Sequence, residues 1–438
     1  MMDIDKIKQK ILDLAIRGKL VPQDPNDEPA SVLVEKIKAE KEKMVKEGKI
    51  KPSKDESYIY KDSDNCYYEK KGNEVRDITS EIPFKIPNSW RWVRLKNIGT
   101  IVGGGTPDTS NQNYWNGDIV WITPANMSKL KSLFVENSDR KIKSLGLVKS
   151  SAQLLPANSI IMSSRAPIGY LAINKTPACT SQGCKSLIPL YEGGCEYIVC
   201  ALKARMSSIK SNGSGNTFSE ISGKDFSNII IPLPTSKEQK RIVEEYNAFV
   251  DKIDSIVCEY HQIVAISNHI KLKILDHFFG ENSSYKSYYP NYHIKDLCQL
   301  GKGKSEQKGV YPYLEAKVIR GIKQPKYIKS GCFIEKGTKV ILVDGENSGE
   351  VMIAPFDGYL GSTFRILTTK NNISSEYLMW FIEHYKKTLK SNKTGSAVPH
   401  LNKNIFYNLT IALPPLKIQE KYSCEITKCF TLFKAILS

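Results

Sequence analysis

The sequence has no apolar run long enough to span a bilayer, and its first residues, Met1 to Lys10, carry charge at every second or third position. Secretion and membrane insertion are therefore not expected, and a cytoplasmic chain is. Without a signal peptide, the ten cysteines read as reduced thiols. Cys179, Cys184, Cys195 and Cys200 form two C-x4-C pairs, but structural zinc sites use tighter pairs and the repeat has no cysteine at the corresponding positions of the second half. Buried thiols are the expectation there, and no metal.

Signatures of catalysis are missing too. Gly301-Lys302-Gly303-Lys304-Ser305 ends like a phosphate-binding loop, yet Cys298 stands where its first glycine belongs. Asp296 with Glu315-x-Lys317 has a loose nuclease-like spacing of metal carboxylates, without the usual Pro-Asp start and without an equivalent in the first half. The Asn/Asp-Pro-Pro-aromatic pocket of an adenine methyltransferase is absent, as is a glycine-rich cofactor loop. The chain is expected to be non-catalytic and to hold no cofactor of its own.

What it does have is charge and repetition. Lys and Arg number 63 against 46 Asp and Glu, a net +17 spread along the whole chain, which favours a polyanion partner. At 438 residues, two or three domains are expected. A self-match at a constant offset of 180 runs from about Pro156 to Arg241. It pairs Ile161 with Ile341, Gly169 with Gly349, Leu187 with Leu367, Tyr197 with Tyr377, Phe226 with Phe406, Pro234 with Pro414 and Gln239 with Gln419. Upstream, Leu95-x-x-Ile98-Gly99 matches Leu297-x-x-Leu300-Gly301 at offset 202, so the first copy should hold 202 − 180 = 22 extra residues between these anchors. A shared framework with differing insertions is the pattern of two modules that read different targets.

Each copy opens on β-rich sequence broken by Gly and Pro, passes through a helical stretch and a polar Gly loop, and ends in a short strand stopped by Pro234 or Pro414. Two α+β domains follow from that order. After each proline comes a helix. Ile242, Tyr246, Phe249, Ile253, Ile256, Tyr260, Ile263, Ser267, Ile270 and Ile274 step by four and three, the seam of a coiled coil. The second copy offers Tyr422, Ile426, Cys429, Phe433 and Ile436. Packing of each helix on its own domain is the alternative. Ile7-Lys8-x-Lys10-Ile11-Leu12-Asp13 repeats Ile270-Lys271-x-Lys273-Ile274-Leu275-Asp276 at offset 263. On that match the N-terminal helix completes the C-terminal one, as half of an antiparallel coiled coil in a nearly circular, pseudo-twofold protein.

The expected layout is an N-terminal helix over 1–18, a charged helix and linker over 19–88, and a first recognition domain over 89–235. A central helix over 236–280, a linker over 281–292, a second domain over 293–413 and a C-terminal helix over 414–438 complete it. The Lys/Glu-rich segment Val32–Glu47 reads as a solvated helix face, with an interaction arm as the alternative.

This order of elements resembles the specificity subunit of a type I restriction-modification system. Ile86-Pro87-x-x-Trp90-x-Trp92-Val93-x-Leu95, Gly104-Gly105-Thr106-Pro107 and Ile231-Pro232-Leu233-Pro234-x-x-x-Glu238-Gln239-x-Arg241-Ile242-Val243 carry the resemblance. Leu14-Ala15-Ile16-Arg17-Gly18-Lys19-Leu20-Val21-Pro22-Gln23-Asp24-Pro25 adds to it. The second junction, Leu413-Pro414-Pro415-Leu416-x-x-Gln419-Glu420, lacks the basic residue and the Ile-Val of the first, which leaves its helix start open. The resemblance implies a bipartite double-stranded DNA site, one half per domain. It also implies two modification (methyltransferase) subunits that carry S-adenosylmethionine and methylate adenine, and restriction subunits that use ATP and Mg. A two-domain scaffold for protein or RNA, without reading of DNA sequence, is the alternative.

Base reading needs donors and acceptors on loops of a stiff scaffold. In the first domain these are Thr106, Ser110 and Gln112 of the glycine-rich loop, then Arg165, Gln182 and Lys185, with Asn212 in a later Gly loop. In the second they are Lys302, Lys304, Asn347, Thr363, Arg365, Asn392 and, secondarily, His400 and Asn402. Arg165 suits guanine and Gln182 or Asn347 adenine, whereas Lys185, Arg365, Lys302 and Lys304 suit phosphate. Each is otherwise an ordinary exposed loop residue or turn former.

Overall fold

The computed structural model describes residues 3–50, 52, 56–165, 167–211, 220–303, 308–394 and 399–437. The chain divides into two units, Met1–Ile256 and Val257–Ser438. Among the described residues no helix is long and apolar enough to cross a membrane.

In the first unit, helix α1 (Ile4–Ile16) is capped by Asp3, whose side chain accepts from the Lys6 amide, and ends at Gly18 with φ +66°. Helix α2 (Ala30–Lys46) follows. A meander of β1 (Tyr58–Lys61), β2 (Tyr67–Lys71) and β3 (Glu74–Asp77) then precedes β4 (Arg91–Arg94) and β5 (Gly99–Gly103). The remaining strands are β6 (Trp115–Ile122), β7 (Phe134–Val135), β8 (Lys141–Ile142), β9 (Ile160–Ser163), β10 (Leu171–Asn174), β11 (Ala178–Thr180), β12 (Cys184–Pro189) and β13 (Ile230–Leu233). They form a sheet of order β5-β12-β9-β10-β7, a smaller sheet β11-β6-β8 and the pair β13-β4. Helix α3 (Cys195–Ala204) closes the main core, where Tyr197 is buried and donates to the Pro232 carbonyl at 2.8 Å.

The second unit repeats this plan with β14 (Asn291–His293), β15 (Cys298–Gly301), β16 (Tyr311–Leu314), β17 (Tyr327–Ile328), β18 (Cys332–Ile334), β19 (Lys339–Leu342), β20 (Val351–Ile353), β21 (Gly358–Leu360), β22 (Phe364–Thr369) and β23 (Thr410–Ala412). Its sheets are β15-β22-β19-β20, β17-β16-β21-β18 and the pair β14-β23. β6 runs parallel to β11, and β16 runs parallel to β21. Tyr377, in the helix Ser375–His384, donates to the Ala412 carbonyl at 3.2 Å, as Tyr197 does to Pro232. Gly169 (φ +102°) and Gly349 (φ +97°) hold one left-handed turn position in both copies, where a Cβ would be strained. These are two α+β domains built on one framework.

Two sequence registers are corrected by the hydrogen bonding. β12 places Ser186 opposite Ile161, and β22 places Ile366 opposite Val340. Ile161 thus corresponds to Val340, at offset 179 and not 180. Packing agrees, since Ile161 and Val340 lie in the smaller cores while Met162 and Ile341 lie in the main ones. Runs of Ile and Val match almost as well one residue out, but a one-residue slip exchanges the two faces of a strand. The second correction concerns the upstream anchor. Gly99 pairs with Pro189 and Cys298 with Thr369, so the framework offset there is 298 − 99 = 199 and the first copy holds 199 − 180 = 19 extra residues. The sequence match at 202 is slipped by three residues, nearly one helical turn, along two short helices with similar apolar spacing.

Helix α4 (Ser236–Phe279) and helix α5 (Leu416–Leu437) start 180 residues apart in spite of their different junction sequences. The reason is shared: Gln239 and Gln419 are buried and turn back to donate to the carbonyls of Pro234 and Pro414. In the first unit α4 runs antiparallel to α1, with Lys8 paired to Asp254 at 2.5 Å and Gln23 bonded to Glu238. In the second unit its later part runs antiparallel to α5, with Tyr422 beside Phe278 and Phe430 beneath Lys271. The seam differs from the sequence reading. Tyr246, Ile253, Ser267 and Ile274 are at least half-buried as expected, but Val250, Val257, Val264 and Lys271 flank them on the covered side. Phe249, Ile256, Ile263 and Ile270, seven residues apart, stay 40%, 64%, 48% and 38% exposed. Apolar residues stand on both sides of the central column, and packing selects one side.

Candidate nucleic-acid interface

In the first module, four loops meet beyond the ends of β5, β9 and β11. The Gly104 amide donates to the Cys184 carbonyl (3.2 Å) and the Gly105 amide to the Thr180 carbonyl (2.8 Å). A Cβ on Gly104 would lie 1.9 Å from the Ser181 oxygen, so only glycine allows this approach. The Ser164 amide donates to Gly183, and the Ile221 amide donates to Ser164. Trp121 and Trp115 secure the glycine loop from beneath by donating to the carbonyls of Gly105 and Asp108, both at 3.0 Å. Arg140 stacks 3.7 Å above the Trp115 ring. Sequence reasoning did not find these three supports, because an isolated Trp in a strand, or an Arg beside one, looks like core or solvent.

The residues singled out from sequence fall into distinct settings. Gln112 and Gln182 are exposed, and Thr106 is half-buried. Ser110 donates from both its amide and its hydroxyl to Asp108, and these bonds hold the Asp108 carboxyl below its usual range. Arg165 and Lys185 are not free cations: Glu220 sits 3.0 Å from Arg165 and 3.6 Å from Lys185. Asn212 lies outside the described residues.

The second module gathers the corresponding loops. Val343 donates its amide to Thr363, and Leu401 donates its amide to Val343, repeating the bonds around Ser164. Asn347 accepts from Lys390 at 3.2 Å, Lys393 pairs with Glu346, and His400 Nδ1 lies 2.7 Å from the Asp344 carboxylate. Arg365 folds onto its own backbone, donating to the carbonyls of Ser362 and Phe364. Lys302 is exposed and Thr363 half-buried, while Lys304 lies outside the described residues. Asn392 and Asn402 have local roles at helix ends: Asn392 donates to Thr388 and Asn402 accepts from the Ile405 amide.

Burial pushes the thiols of Cys179, Cys184, Cys195 and Cys200 up to about 11, away from nucleophilic or ligating thiolates. Among the described residues no group of three His, Cys, Asp or Glu side chains is arranged to hold a metal. The arrangement is a pair of platforms whose polar loops are joined by main-chain hydrogen bonds, suited to recognition.

Comparison with known proteins agrees. The family described as type I restriction modification DNA specificity domain matches residues 87–263 and again 287–430. The chain belongs to this family. Its most similar relatives include the MjaIX specificity subunit of Methanocaldococcus jannaschii, 26% identical over 79% of this chain and 88% of that protein. The EcoR124I/EcoR124II specificity subunit of Escherichia coli is 34% identical over 38% of this chain and 41% of its own length. In fold, the chain resembles the HsdS subunit from Thermoanaerobacter tengcongensis, with a TM-score of 0.51, 17% identity and coverage of 81% and 92%. It also resembles a chain from a structural study of complex assembly and conformational transition in a type I restriction-modification system, with a TM-score of 0.61, 18% identity and coverage of 81% and 93%. This specificity subunit is thus a recognition component, not itself a catalyst.

Proposed function

We propose that this specificity subunit works in the cytoplasm and recognises a split double-stranded DNA site, one half per module. In the same reading it scaffolds modification subunits that bind S-adenosylmethionine and methylate adenine, together with restriction subunits that use ATP and Mg. The observation that carries the reading is the twofold use of one loop-bearing framework with different side chains at corresponding positions: Arg165, Gln182 and Lys185 in one module, Asp344, Ser362 and Arg365 in the other. A shared scaffold fixes where side chains meet a base edge, and their identity sets which base is accepted. The net charge of +17 supplies sequence-independent attraction to phosphate. Docking of the modification subunits is supported by the exposed heptad column Phe249, Ile256, Ile263 and Ile270 on α4.

The test is a genome-wide map of methylated adenine in cells carrying the complete system. A split site is expected. Exchanging the loops Lys302–Gln307 and Asp344–Asn347 for those of another specificity subunit should change one half of that site and leave the other intact. Simultaneous change of both halves would defeat the assignment of one half to each module.

A further inference from the structure

At one position the two modules carry the same contact with the carboxylate and its nitrogen-bearing partner exchanged. In the first, Arg165 just beyond β9 bridges to Glu220, with Arg165 Nε 3.0 Å from the carboxylate. In the second, Asp344 just beyond β19 bridges to His400, with His400 Nδ1 2.7 Å from the carboxylate. The strand offset of 179 makes Asp344 the counterpart of Arg165, and the later offset of 180 makes His400 the counterpart of Glu220. Flanking main-chain bonds confirm the equivalence: Ile221 to Ser164 at 2.9 Å, and Leu401 to Val343 at 2.8 Å. One module therefore sets the cation on the strand and the acid on the returning segment. The other sets the acid on the strand and the imidazole on the returning segment.

Stability does not explain this placement. The side chains are 48% and 36% exposed in the first couple and 52% and 31% in the second, and exposed ion pairs contribute little. Both couples occupy the loop edge described above, beside Gly183 and Thr363. Each presents a hydrogen-bond donor next to an acceptor on bridged backbone. That is the complement of a base edge offering an exocyclic amine beside a purine acceptor: Arg reads the purine N7/O6 edge, and a carboxylate accepts from an exocyclic amine.

Resting on the proposed reading of split DNA sites, we infer that Arg165–Glu220 and Asp344–His400 are the specificity-determining couples of the two modules. Each reads one base pair of its half-site, and the exchanged polarity gives the two halves different preferences. Between contacts with DNA, Glu220 and Asp344 also occupy their partners, which restrains both from generic attraction to phosphate.

The test uses the full chain with its modification subunit and selection of bound duplexes from a randomised DNA library. Glu220→Gln should weaken the base preference at one position of one half-site by about tenfold to a hundredfold, and Asp344→Asn should do so in the other half. The double substitution Arg165→Asp with Glu220→His should carry the second module's preference into the first half-site. Wild-type and variant chains that select the same site with equal strictness overturn the couples and leave the split-site reading standing. A wild type that selects no sequence overturns both. Unfolding followed for each variant in parallel guards against misfolding, and Arg165→Gln serves as a second probe should Glu220→Gln unfold. A variant that unfolds like wild type yet loses all DNA binding also overturns the assignment, because a reader of one base pair leaves the phosphate contacts in place.

Discussion

Arg94 and His293 occupy corresponding positions, next to a carbonyl of the corresponding residues Asn228 and Asn408. Arg94 is 5% exposed and His293 is exposed. The difference lies in what covers them. The meander β1–β3 brings Glu69 over Arg94, joined by two hydrogen bonds of 2.7 and 2.6 Å, with Ser57 and Glu81 completing the cluster. The meander lies outside the family match, and the second module shows no counterpart among its described strands. A shared framework can therefore acquire a buried charge in one copy only, provided the insertion brings the countercharge with it.

The comparison is best broken at its shared part. Phe226 and Phe406 are both fully buried at offset 180, so Phe226→Ala and Phe406→Ala should each destabilise their own module by about 3–5 kcal/mol. Urea unfolding can be followed through Trp90, Trp92, Trp115 and Trp121 in the first unit and Trp380 in the second. Unequal losses would mean that the two cores are not equivalent. Arg94→Leu should destabilise the first module by a comparable 3–5 kcal/mol, roughly the loss when one partner of a buried pair is removed. His293→Leu should change the second by no more than about 1 kcal/mol. Equal effects would show that the meander does not seal Arg94.

Acid sharpens the same contrast. Burial alone would raise the Glu69 carboxyl, but hydrogen bonds from Arg94 and Ser57 outweigh it and hold the group down at about 2 against an ordinary 4.5. A depressed carboxyl stabilises the fold above the unfolded value and loses that contribution as pH falls through the folded one. The first module should accordingly lose on the order of 3 kcal/mol between about pH 4.5 and 2, and Arg94→Leu should remove most of that dependence. A wild-type titration as flat as the variant's would count against the clamp. The smallest stability effect is expected at Ile256→Ser and Ile263→Ser, within about 0.5 kcal/mol because both side chains face solvent. The same changes should abolish co-elution with the modification subunit in size-exclusion chromatography. Unimpaired assembly would remove the exposed column of α4 from the docking surface.

The linear sequence determined the repeat, the two α+β modules, the helix after each proline and the family. These depend on local signals that tolerate small errors: proline stops, glycine turns, and identities such as Tyr197 with Tyr377 that survive in a single alignment. It also drew attention to the loops around Arg165 and Asp344 through their polar composition. It did not determine the strand register, because Ile161-Met162 matches Val340-Ile341 at 179 almost as well as Ile341-Leu342 at 180. Only the hydrogen bonds to β12 and β22 decide, and with them the equivalence of Arg165 and Asp344. The covered face of α4 was equally open, since the residues on both sides of its central column are mainly apolar and a helix buries whichever side its neighbours reach. Glu69 and Arg94, 25 residues apart, and Arg165 and Glu220, 55 apart, carry no mark of their pairing in the linear chain. Tertiary structure decided them, because an ion pair forms where the backbone brings the charges together, whatever their separation in sequence.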